Sequence, residues 1–169
     1  MNILPHIFGA FALGTWISSV QTKKKSNILV LQLLANLFYA LQYFIMGFFS
    51  TGLLNLVGAF RSACFAINAK KNKENSYELL LWLLLIIYFI AVTSCNTFLS
   101  IIPVLTTILH TISTWQNNTK YLRYIFILCA VLFVFYNFMI GAYVALIGNL
   151  FEIISGMVSL IRFEKRKRS

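Results

Sequence analysis

Long apolar runs, separated by short polar or basic segments, dominate this chain. Seven runs reach the roughly 17–25 mostly apolar residues that a membrane-crossing helix needs. They are Ile3–Val20, Asn27–Met46, Thr51–Ala69, Tyr77–Ser94, Thr97–Thr114, Tyr121–Ile140 and Ala142–Arg162. We assign these runs as helices because lipid offers no hydrogen-bond partners to backbone groups, and because the runs lack the period-two alternation of barrel strands. The pattern predicts an all-α membrane protein with seven transmembrane helices.

Composition excludes the soluble classes of protein. The 169 residues are 60% hydrophobic and 11% charged, whereas a globular domain is about half apolar and about a quarter charged. A core of this size cannot hide so much apolar surface from water, so the excess faces lipid. The cysteines Cys64, Cys95 and Cys129 lack CxxC spacing and are typical of apolar fillers, so we predict neither a disulfide nor a metal site.

The basic residues predict the orientation in the membrane. They cluster after the first, third, fifth and seventh runs, at Lys23–Lys25, Lys70–Lys73, Lys120–Arg123 and Arg162–Arg168. These clusters fall on one face, which the positive-inside rule makes cytoplasmic, with the N-terminus outside and the C-terminus inside. Because no cationic residue precedes the first run, we interpret it as a span and not as a signal peptide. A net charge of +10 is then explained by topology, and no nucleic-acid partner is predicted.

The chain carries a weak internal repeat. A shift of 95 positions, and later of 94, aligns the polar and glycine pairs Ser18/Ser113, Gln21/Gln116, Lys25/Lys120, Gly47/Gly141 and Asn55/Asn149. Two triplets of helices share one membrane orientation only if an odd number of spans joins them. The pattern therefore predicts two parallel three-helix repeats, 1–69 and 97–162, joined by a basic loop and connector helix at 70–96 and followed by a basic cytoplasmic tail at 163–169.

Several segments resemble a known family. They are Leu54–Arg61, Ile102–Val104, Ser113–Trp115, Tyr136–Phe138 and Leu160–Phe163, and together they resemble the YgjV family of bacterial inner-membrane proteins. The resemblance implies a location in the inner membrane and a fold, but no activity. Its three-helix arrangement is similar in turn to the SWEET and PQ-loop membrane proteins, which include sugar facilitators and a receptor for retrieval signals. The proline–glutamine pair of that group is missing, since His6 follows Pro5 and Val104 follows Pro103.

Two ionisable residues lie near the middle of predicted spans. Arg61 and Glu152 are each ten residues into their run, which corresponds to a depth of about 15 Å. Ionisable groups at that depth are costly and mark functional positions by default. We predict an Arg61–Glu152 ion pair that lines or gates a central cavity. The alternatives are a buried salt bridge that only fixes helix packing, or an arginine that extends to the inner headgroups.

Uncharged polar groups complete the candidate site. Asn55 and Asn149 are matched by the repeat, and their amides suit a polyhydroxy solute or a carboxylate, although asparagine also joins helices structurally. The fifth run carries polar residues every three or four positions, which places them on one helical face: Ser100, Pro103, Thr107, His110, Thr111 and Thr114. Within it Thr107 and His110 are predicted to bind solute. His110 could relay protons or simply pack. Gln42 and Asn137 are interpreted as interfacial capping groups.

These features favour a membrane facilitator over an enzyme. The chain has no Asp, no HExxH and no GxSxG, and we predict no enzymatic activity and no cofactor. The favoured function is passage of a small polar solute through a cavity between the repeats, by rocking one triplet against the other. The alternative is a receptor or adapter that binds a partner or anionic lipid through its basic face. A cavity of a few hundred cubic ångströms at Asn55 and Asn149 that reaches one face would favour transport, since pockets of roughly 300–1,000 Å³ hold small molecules. A dry, filled core with a basic inner face would favour the adapter. The small residues Gly9, Gly14, Gly52 and Gly58 allow close helix contacts within the chain or in a homodimer.

Overall fold

Helices account for the whole described fold. A computed structural model of the protein describes residues 3–94, 98–139 and 143–165, and these form seven α-helices and no strand. The helices are α1 Leu4–Val20, α2 Lys25–Ile45, α3 Phe49–Lys70, α4 Tyr77–Ser94, α5 Ile101–Trp115, α6 Thr119–Met139 and α7 Tyr143–Lys165. A 3₁₀ turn, Phe98–Ser100, leads into α5. The predicted helices are all present, and their bounds agree with the predicted runs to within a few residues.

Five of these helices are long and apolar enough to cross a membrane. They are α2, α3, α6, α7 and α5 together with its preceding turn. The first and fourth helices are apolar but shorter, so their membrane crossing stays a prediction. Along α4 large apolar side chains such as Trp82 and Phe89 are 67% and 70% exposed, as lipid contact requires.

Short connections fold neighbouring helices back on each other. At the turn between α2 and α3, Gly47 adopts a φ of +82°, a left-handed conformation that glycine reaches without steric cost. Between α3 and α4, Asn72 has a φ of 52°, and asparagine is one of the few other residues that tolerate this region. Helix α1 packs on α2, α2 on α3, and α6 on both α5 and α7.

Helices that are distant in the sequence also pack on each other. Helix α1 contacts α7, and α3 contacts α5, whereas α4 packs against α3 and α5. Glycines allow α1 and α3 to pack closely on α2, because a methyl group placed at Gly9, Gly52 or Gly58 would lie 2.7, 2.5 or 2.8 Å from a side chain of α2. Nothing lies within 4 Å of such a group at Gly14. Three of the four predicted small-residue contacts therefore lie within one chain.

Polar contacts gather the basic connections at one end of the bundle, which we call the basic end. The Lys25 ammonium donates to Asn117 Oδ1 at 2.9 Å, and Arg123 donates to the Thr22 carbonyl at 3.1 Å. The opposite, neutral end carries the uncharged turn between α2 and α3. Cys95 and the repeat-matched Gly141 lie outside the described residues, as do residues 166–169 of the basic tail.

Candidate functional site

A cavity of about 770 Å³ lies between the helices. Its described lining comes from α1, α2, α3, α5, α6 and α7, and none of it comes from α4. Pockets that hold small molecules have volumes of roughly 300–1,000 Å³. The six residues predicted to form a site all line it: Asn55, Arg61, Thr107, His110, Asn149 and Glu152. That these residues bind a solute stays a prediction.

The cavity lies toward the neutral end and stops at an aromatic floor. Exposed residues near that end, including His6, Met46 and Phe48, belong to its lining. The floor consists of the rings of Trp16, His110 and Phe126, with centroids 5.1 to 5.3 Å apart. Beneath it Phe126 packs in an apolar cluster with Val20, Ile28 and Leu122. Aromatic edge contacts and apolar packing thus close the cavity toward the basic end.

The polar residues of α5 face the interior. Thr106, Thr111 and Thr114 are at most 1% exposed, and their hydroxyls donate to carbonyls of their own helix. Thr107 donates in the same way to the Pro103 carbonyl at 2.7 Å. Such bonds satisfy the hydroxyl proton and leave oxygen lone pairs free to accept a further bond.

Arg61 uses these acceptors. Its side chain is 2% exposed, and Nη1 lies 3.1 Å from Thr111 Oγ1 and 3.4 Å from the Thr107 carbonyl. Its Nε is buried without a partner in the described part of the chain. The guanidinium therefore reaches across to α5, not toward the headgroups, which argues against the alternative of an arginine that extends to the inner surface.

Glu152 has a separate set of partners. It is 9% exposed, and its carboxyl oxygens accept from the Tyr39 hydroxyl at 3.4 Å and from Asn149 Nδ2 at 3.2 Å. No ion pair joins it to Arg61 among the residues that the structure describes, so the predicted direct pair is not formed. The physical reason is direction: equal depth in two helices says nothing about which neighbour each side chain faces.

The repeat-matched asparagines differ in their bonding. Asn149 accepts from Asn137 Nδ2 at 2.7 Å, a bond between α6 and α7, in addition to its bond to Glu152. Asn55 is half-buried and donates to the Thr51 carbonyl of its own helix at 2.8 Å. Asn137 is 3% exposed, so its interpretation as an interfacial cap was wrong, because the cavity extends up to that level of α6.

His110 serves at least as a packing residue. It is 8% exposed, and its ring contacts Trp16 and Phe126 edge-on. Its Nδ1 is buried without a hydrogen-bond partner in the described structure. In the same described residues no group of three His, Cys, Asp or Glu side chains could hold a metal ion.

One known protein family matches nearly the whole chain. Residues 3–167 match the family model Imp-YgjV, described as a bacterial inner membrane protein. The chain belongs to this family. No curated protein and no solved structure matches this YgjV-family member. The family description gives a location and no activity, and five apolar helices of membrane-spanning length agree with that location.

A stripe of residues on α2 also lines the cavity, and the sequence singled out only one of them, Gln42, which it interpreted as an interfacial cap. Asn36, Tyr39, Gln42 and Tyr43 all line the cavity. Their spacing of three or four residues places them along one face of a helix. The same periodicity test that singled out α5 would have found this face, but the tyrosines counted as apolar and masked it.

Proposed function

We propose that this protein is a facilitator or transporter that passes a small polar solute through its central cavity. The observation that carries the proposal is the cavity itself, about 770 Å³ in volume, in which amide, hydroxyl and charged groups are set among mostly apolar side chains. A receptor or adapter that acts through its basic face does not need such a cavity, and a densely packed core would be more stable. The polar residues of the lining supply hydrogen-bonding groups that lipid does not.

The proposed architecture is two parallel three-helix repeats, α1–α3 and α5–α7, with α4 as the connector. Exchange of the repeats turns the contact of α1 with α7 into the contact of α5 with α3, and both contacts exist. The connector touches one helix of each repeat and contributes nothing to the described lining of the cavity. Parallel repeats of this kind occur in transporters that bind solute between them.

Polar contacts that cross between the proposed repeats hold the basic end closed. Gln21 Nε2 donates to Ser155 Oγ at 2.8 Å, and Ser159 Oγ donates to the Val20 carbonyl at 2.7 Å. Together with the bonds of Lys25 and Arg123 they join the two repeats below the aromatic floor. The conformation is thus open toward the neutral end, which we assign to the outside by the positive-inside rule. Rocking of one repeat would break these contacts and open the basic end.

Within the cavity we assign the contact with solute to Asn55, Asn149, Thr107 and His110. Asn55 supports this assignment best, because its amide oxygen has no bond among those described and its side chain is half-buried. Arg61 and Glu152 would line or gate the path. Each bonds to the opposite proposed repeat, Arg61 to α5 and Glu152 to Tyr39 of α2, so movement between the repeats alters both.

A pair of neighbouring substitutions tests the proposal. Ala130 lines the cavity and is 3% exposed, whereas Val131 is 49% exposed and faces outward. Purified protein in reconstituted vesicles would be assayed for uptake of labelled sugars, amino acids and nucleosides. We expect at least one solute class to enter faster than into protein-free vesicles, A130F to abolish that uptake, and V131F to leave it unchanged.

The controls separate lost function from lost folding. Both variants would be compared with the parent protein by size-exclusion chromatography and helical circular dichroism before reconstitution. Absence of uptake of every solute class by well-folded parent protein would refute transport and favour the adapter. Equal loss in A130F and V131F would show that the effect does not come through the cavity.

A further inference from the structure

Two charged side chains that have no charged partner among the described residues lie in the wall of one cavity. Arg61 and Glu152 are 2% and 9% exposed, and both contribute to the lining. The described partners of Arg61 are a hydroxyl and a carbonyl, and those of Glu152 are a hydroxyl and an amide. A buried ion that has only neutral partners keeps much of its desolvation penalty, which an opposite charge at hydrogen-bond distance would offset.

Unused hydrogen-bonding capacity accompanies the positive group. Arg61 Nε is a buried donor without a partner in the described structure, and the guanidinium fork can take a carboxylate through two parallel bonds. The negative group lies on a different helix, and its two oxygens each accept one bond, from Tyr39 and from Asn149. A carboxylate oxygen accepts more than one bond, so these contacts leave room for an ammonium donor.

The charge balance of the wall selects among solutes. A plain anion would pair with Arg61 and be repelled by Glu152, and a plain cation would meet the reverse. An uncharged polyol would leave both ions without a charged partner. A small zwitterion satisfies both groups at once, with its carboxylate toward α3 and its ammonium group toward α7.

From this juxtaposition we propose that the solute is a small zwitterion of the α-amino acid class, its carboxylate bound by Arg61 and its ammonium group by Glu152. The proposal rests on the transport function proposed above. The lining of the same cavity also includes Asn55, Thr107 and Asn149, whose amide and hydroxyl groups can bond a polar side chain of the solute.

Four solutes of similar size test the proposal: L-serine, N-acetylserine, serine methyl ester and glycerol. They present both charges, the carboxylate alone, the ammonium group alone and no charge. In reconstituted vesicles, after subtraction of entry into protein-free vesicles, we expect serine to enter at least about tenfold faster than the other three, a discrimination that one well-placed ion contact readily supplies. E152Q should remove most of the preference for serine over N-acetylserine, and R61Q most of the preference for serine over its methyl ester.

Matched controls and the parent protein keep the test decisive. E78Q and R162Q change exposed charges outside the cavity and should leave the ranking of solutes intact. If R61Q does not fold, the ranking measured with the parent protein alone still decides. Glycerol as the fastest solute would overturn the zwitterion proposal and leave transport standing. Entry of none of the four, with none of the sugars and nucleosides entering either, would overturn both.

Discussion

The hydrogen bond between Asn137 and Asn149 offers a quantitative test of the packing around the cavity. It joins α6 to α7 at 2.7 Å between residues that are 3% and 9% exposed. Interhelical hydrogen bonds in membrane proteins average about 0.6 kcal/mol and reach about 1.7 kcal/mol. The short distance and the burial place this bond above the mean, but the cavity beside Asn149 lets water replace a lost partner. We expect a coupling energy of about 1 kcal/mol.

A double-mutant cycle measures that coupling directly. N137A, N149A and the double variant would be unfolded reversibly by SDS titration in mixed micelles, with helical circular dichroism as the signal. The bond of Asn149 to Glu152 is lost in both members that carry N149A, so it cancels in the cycle. A matched cycle combines N149A with N55A, since Asn55 bonds only within its own helix among the described contacts.

The two cycles are expected to give different coupling energies. The Asn137–Asn149 cycle should give about 1 kcal/mol, and the Asn55–Asn149 cycle should be additive within about 0.3–0.5 kcal/mol. A coupling below about 0.3 kcal/mol in the first cycle, or an equal value in both, would refute the described packing of α6 on α7 at this level.

Two further predictions use matched pairs of positions. A methyl group added at Gly14 meets nothing within 4 Å, whereas one added at Gly58 lies 2.8 Å from Asn36 Oδ1. G14A should therefore raise the free energy of unfolding by up to about 1 kcal/mol through helix propensity, and G58A should raise it less or lower it. The reverse order would contradict the packing of α3 on α2. Lys25 donates to the α5–α6 connection, whereas its neighbour Lys24 is exposed. K25M should increase the labelling of a cysteine in the cavity by an impermeant thiol reagent added at the basic end, and K24M serves as the control. Equal labelling in both variants would show that the Lys25 contact does not help to close the basic end.

The sequence predicts the helices well because their cause is local. A run of apolar residues that is long enough for the bilayer must be helical, and basic clusters mark where it ends. The predicted run Asn27–Met46 and the helix Lys25–Ile45 differ by one or two residues. The residues that line the cavity could also be predicted from the sequence, because polar side chains in apolar runs are few and each needs an interior neighbour.

The partners of those residues could not be predicted, because they depend on the direction of each side chain around its helix. Arg61 and Glu152 share a depth, yet one faces α5 and the other faces Tyr39 of α2. Asn137 looked terminal by position, but the cavity reaches its level and buries it. Depth follows from counting residues, whereas direction follows from how whole helices pack.

The outer position of α4 ties the molecule to its lipids. The 18 described residues of the helix extend about 27 Å, slightly short of a hydrocarbon layer of about 30 Å. If α4 crosses the membrane as the sequence predicts, the lipids must thin around it or the helix must shift, at a modest free energy for each ångström. Because α4 packs on both α3 and α5, which line the cavity, we expect such a shift to act on these two helices. The length of the lipid acyl chains would then influence the cavity.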